Sequence, residues 1–116
     1  MESFREFEAG PDPFGRTWHI QFKWLQTAIS LRHSDTVDVK FLVNGTGKIV
    51  ALPHAALQQA CRQAGVPLTD EWCIRIAARH LREALESGAD AEKDLLTLTP
   101  ARVEELVRAE GQPGRS

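Results

Sequence analysis

The chain has 116 residues, of which 42% are hydrophobic and 26% charged, with a formal net charge of -2. This is the composition of a single globular domain that can bury roughly two-thirds of its unfolded surface without a metal or a disulfide. It excludes a membrane span of ~20 apolar residues. Together with the acidic start MESFREFEAG and the separated Cys61 and Cys73, it leads us to expect a cytoplasmic protein with reduced thiols and no secretory signal.

Residues 1–15 read as an N-terminal arm and linker, because EAGPDPFG holds two prolines and two glycines in eight residues. Residues 16–110 read as the one folded domain, and residues 111–116, GQPGRS, as a disordered tail.

From Thr17 to Leu25 the chain alternates, with Trp18, Ile20, Phe22 and Trp24 on one side and Thr17, His19, Gln21 and Lys23 on the other. Period two means a strand with one buried face. The apolar phase then changes at Trp24-Leu25 and continues on Ile29 and Leu31. A β-bulge explains this by inserting one residue so that both halves bury the same face. The competing reading turns residues 26–32 into a helix. A long, kinked first strand is the reading favoured here.

Val37 to Asn44 is the clearest strand, and pairing across His33-Ser34-Asp35 sets Leu31 opposite Val37 and Ile29 opposite Val39. NGTGK, Asn44 to Lys48, is a tight turn, and Ile49 to Leu52 returns beside the second strand. Pro53 suits the first turn of a helix over His54 to Ala64 that stops at Gly65. Thr69 or Asp70 caps a second helix that runs to Ser87. Its apolar stripe is Cys73, Ile76, Ala77, His80, Leu81, Ala84 and Leu85, while Arg75, Arg79, Arg82, Glu83 and Glu86 face outward. Thr99 and Pro100 open a third helix that ends at Gly111. The expected fold is α+β: a three-stranded antiparallel meander with two or three helices packed on one face.

The sequence holds no complete catalytic or metal motif. His54, Cys61, Cys73 and His80 look like a two-Cys, two-His zinc set, but each His–Cys pair is seven residues apart, a rise of ~10.5 Å along a helix. Ligands of one zinc sit about 2.0–2.3 Å from it, so one ion cannot reach all four. His33, Ser34 and Asp35 are neighbours at a turn, without a Gly-x-Ser-x-Gly elbow. GTGK leads into a strand, whereas a phosphate loop opens a helix. No cofactor is expected, and an enzyme is the least favoured class.

Two binding readings remain. Arg16 to Arg82 carries nine Lys or Arg against four acids, and the ends are acidic. A basic centre of this kind suits a nucleic acid or a small anionic ligand, with His19, Lys23, Lys40, Lys48, His54, Arg75 and Arg79 as candidate surface residues. The reading preferred is a non-enzymatic interaction or regulatory module that forms a homodimer. Its basis is that the short helices, with Ile74 and Trp72 off the main stripe, offer thin cover for so many aromatic and branched strand residues.

Overall fold

The alternation that marks the middle of the chain extends to both ends of the sheet. A computed structural model describes residues 4–28, 35–88 and 93–110 and has an α+β fold. Among these residues there are five strands in one mixed sheet and three helices. β1 (Glu6–Ala9), β2 (Trp18–Ala28), β3 (Thr36–Val43) and β4 (Thr46–Pro53) are successive antiparallel neighbours. α1 (His54–Ala64) and α2 (Asp70–Ser87) follow, and β5 (Leu95–Thr97) returns parallel to β4 before α3 (Pro100–Glu110). No helix among the described residues is long and apolar enough to cross a membrane.

The expected meander is β2–β3–β4, and the sheet is larger by one strand at each edge. The stretch assigned to an arm supplies β1: Phe7 and Ala9 point inward, and Glu6 and Glu8 point out. Phe7 meets Phe41 edge-on at 6.4 Å, which gives β1 an apolar anchor on the sheet's central strand. At the other edge Leu96 is buried beside Val50.

The phase change is a bulge, placed earlier than expected. Phe22 pairs with Phe41; then the register slips and Trp24 pairs with Lys40, Leu25 with Val39 and Thr27 with Val37. Lys23 is the additional residue. Trp24 therefore turns away from the core, and Leu25 takes the inward place next to it. Gln26 to Ala28 are extended, so the helical alternative fails for them. Thr27 and Leu25 oppose Val37 and Val39, the places expected for Leu31 and Ile29, because the ladder continues unbroken to Ala28 opposite Thr36. The register over the described residues thus differs from the expected one, and Ile29, Leu31, His33 and Ser34 lie outside those residues.

The helix boundaries follow local chemistry. Thr69 caps α2 by accepting the Trp72 amide at 3.2 Å, and Gly65 and Gly88 close α1 and α2 in the left-handed conformation. Pro53 is the N-cap of α1 and the last residue of β4, one place before the first turn expected for it. α2 packs on β1, β3 and β4, while α1 packs chiefly on α3. Ile74 is fully buried and Trp72 half-buried against the core, so neither is left over. The inward apolar surplus that suggested thin cover is absorbed by α2, α3 and the two edge strands.

The β1–β2 connection is tightly built. Asp12 accepts hydrogen bonds from the Phe14 amide at 2.9 Å and from the Arg16 amide and Nε at 2.7 Å each. Burial pushes its carboxyl up, but these donors and the Arg16 charge outweigh burial and hold it below the usual carboxylate range. Gly10 closes the loop at φ +111°, where an added Cβ would lie 2.6 Å from the Arg16 carbonyl oxygen. Gly10→Ala is expected to cost about 1–3 kcal/mol and to lower the thermal unfolding midpoint. A midpoint equal to wild type would contradict this close approach.

Candidate interaction surface

One face of the sheet packs on the helices, and no element among the described residues covers the other. Pairing register places its side chains in rows. Trp24, Lys40, Ile49 and Leu95 form one row straight across β2, β3, β4 and β5. Gln26, Asp38, Ala51 and Thr97 form the next. The Lys40 stem crosses bare Gly47, where a Cβ would come within 2.8 Å of Cε, and its Nζ lies 5.8 Å from the Trp24 ring centroid. Leu95 is 57% exposed. Towards β1 the face becomes polar: His19 Nε2 sits 2.9 Å from Glu6 Oε2, and Gln21 Nε2 donates to the same carboxylate at 3.4 Å.

The candidate residues of the basic centre fall in separate places. His19, Lys23 and Lys40 lie on β2 and β3, with Lys23 exposed at the bulge. Lys48 pairs with Phe41 and turns inward; it is 5% exposed, and its Nζ donates to the Lys93 carbonyl at 2.7 Å with Asp94 at 3.9 Å. That contact ties the start of β5 to β4 and leaves the ammonium no open surface. Arg75 and Arg79 sit on α2 beyond the core. Glu110 accepts from Arg79 at 2.6 Å and lies 3.9 Å from Arg75, and Glu83 adds a further contact to Arg79. The Arg79 guanidinium is held protonated chiefly by its hydrogen bond to Glu110. A cavity of about 310 Å³ opens there over Phe4, Phe7 and Ala78, and its rim carries Arg79 and Arg82 together with Glu83 and Glu110. Matched charges of this kind offer an anion little net attraction.

His54 lines a second cavity of about 220 Å³ with Leu25, Asp70 and Cys73. The residue types suit a cysteine nucleophile, but the electrostatics do not. Burial, helped by the charges of Asp70 and Cys61, pushes the Cys73 thiol up to about 12, so the thiolate a nucleophile needs is withheld. Burial raises the Cys61 thiol as well. Among the described residues the His54 side chain has no carboxylate partner, and no three His, Cys, Asp or Glu side chains are placed to share a metal ion.

Two measurements follow for Cys73. Iodoacetamide is expected to modify it at neutral pH only as fast as the protein unfolds, read by mass spectrometry; rapid modification of the folded protein would contradict its burial. An unfolded thiol titrates near 9.0 and burial pushes the folded one up to about 12, so the unfolded state releases its proton first. The Cys73 contribution to stability is therefore complete below pH 9.0 and declines as pH rises towards 12.

Comparison with protein-family models, with curated proteins and with solved structures finds no match to this chain. The functional reading rests on the surface itself. Four of its residues, Trp24, Asp38, Ile49 and Leu95, were not among the sequence candidates. Ile49 opposite Lys40 was implicit in the β3–β4 turn, and Trp24 follows once the bulge is placed at Lys23. Leu95 carries no comparable signal.

Proposed function

We propose that the protein is a non-enzymatic interaction module that self-associates through the open face of its sheet. The observation that carries this reading is that row: Leu95, more than half exposed, stands beside half-buried Ile49 at one end, and half-buried Trp24 stands at the other with Lys40 between them. Apolar side chains grouped with polar ones on an uncovered face mark an interaction surface. The charges favour protein over nucleic acid. Glu6, Glu8 and Asp38 lie among Lys23 and Lys40 on this side of the sheet, whereas a phosphate backbone calls for a surface of one sign. A face bearing both signs matches a rotated copy of itself, and two-fold dimers are the commonest closed assemblies.

Sedimentation velocity across a wide concentration range tests the reading. The weight-average sedimentation coefficient is expected to rise with concentration towards that of a dimer. A monomer at every concentration would overturn the proposal.

A further inference from the structure

Resting on the open face as the self-association surface, we infer that two copies meet about a two-fold axis that lies in the interface plane and crosses the strands above Val39, so that Asp38 of each copy faces Lys40 of the other. The sheet itself supplies the argument. β3 is its central strand, and Asp38 and Lys40 are two residues apart on its open side. Among the described residues neither forms an ion pair within its own chain: Asp38 accepts the Thr36 hydroxyl at 2.9 Å, and Lys40 rests over Trp24. Opposite charges at the centre of an uncovered face are thus available for pairing between copies.

The side-chain sizes select the same axis. The row holding Lys40 is bulky, with Trp24, Ile49 and Leu95. The row holding Asp38 is lower, with Gln26, Ala51 and Thr97. The rows are separated by two residues along each strand, about 6.7 Å. A half-turn about a line midway between them lays the ridge of one copy into the shallow row of the other: Ile49 over Ala51, Trp24 over Gln26, and Leu95 over Thr97. An axis running along β3 is the obvious competitor, and it sets Lys40 on Lys40 and Asp38 on Asp38, which like-charge repulsion forbids. Twist rotates packed sheets by about 30°, and this displaces the outer strands more than β3, where the charged pair sits.

Charge reversal tests the geometry. Asp38→Lys leaves Lys facing Lys across the axis, and Lys40→Asp leaves Asp facing Asp. Each variant alone is expected to dimerise about a hundredfold more weakly than wild type. An equimolar mixture of the two restores both pairs and is expected to form a heterodimer near wild-type affinity, as is the Asp38→Lys/Lys40→Asp double variant with itself. Sedimentation equilibrium gives the affinities, and circular dichroism verifies that each variant is folded. The milder Asp38→Asn, which removes the attraction without adding repulsion, is expected to weaken dimerisation about tenfold. Single variants that dimerise like wild type, or a mixture that stays dissociated, would overturn this axis. In either case a dimer that Leu95→Glu still weakens leaves the open face standing as the contact surface. A wild-type protein that never associates removes both conclusions.

Discussion

Phe41→Ala is expected to cost about 3–5 kcal/mol, a large share of the protein's stability. Domains of this size are stable by only about 5–15 kcal/mol. Phe41 is fully buried on the central strand, and its ring is met edge-on by Phe7 at 6.4 Å and by Phe22 at 6.1 Å. Those contacts join β1, β2 and β3 into one layer, so truncation opens a cavity and weakens the hold on β1 as well. Urea unfolding followed by tryptophan fluorescence measures the loss. Amide exchange in Glu6–Ala9 is expected to accelerate before exchange in α2. A loss below about 1 kcal/mol would mean that the three rings do not form the centre of the core.

Leu95→Glu has the second large effect, on assembly rather than on folding. Leu95 is already 57% exposed on a three-residue edge strand, so a polar side chain there disturbs little inside the monomer. At a contact surface, burying a leucine is worth about 1.5–3 kcal/mol. Two-fold symmetry counts the loss twice, and a buried carboxylate adds to it. Dimerisation is therefore expected to weaken at least about a hundredfold, with the thermal midpoint of the monomer nearly unchanged. Phe14→Ser is the matching control. Phe14 is 81% exposed but sits in the β1–β2 connection, away from the row, and its replacement is expected to leave assembly intact. If Phe14→Ser dissociates the dimer and Leu95→Glu does not, the contact surface lies elsewhere.

How far the sequence could be read depended on whether local pattern or distant pairing decided each element. Three helices and three strands were legible because caps, glycines and alternation are local. The Trp24-Leu25 discontinuity pointed to a bulge, but not to the side on which Trp24 would fall. Which residue is doubled depends on pairing with β3, and Trp24 and Leu25 are both apolar. The same ambiguity misplaced the hairpin register: Ile29 and Leu31 fit the pattern as well as Leu25 and Thr27 do. β1 had a readable alternation in EFEA, masked by the nearby prolines and glycines. β5 did not, because three residues carry no period, and its parallel place beside β4 depends on Leu96 burial and on Lys48 reaching the Lys93 carbonyl. Lys48 shows the limit for charged residues, since sequence counts an ammonium without revealing that it is buried against the Lys93 carbonyl. The apolar surplus was legible, but its location was not. The helix side proved full, and the uncovered residues lie on the opposite face.

Backbone amide NMR spectra recorded across a concentration series test whether the open face of the sheet is where this protein makes contact. Shifts that depend on concentration are expected at Trp24, Asp38, Lys40, Ile49 and Leu95, with the α2 residues Arg75, Arg79 and Arg82 unaffected. Shifts confined to the α2 arginines, or none at any concentration, would contradict it.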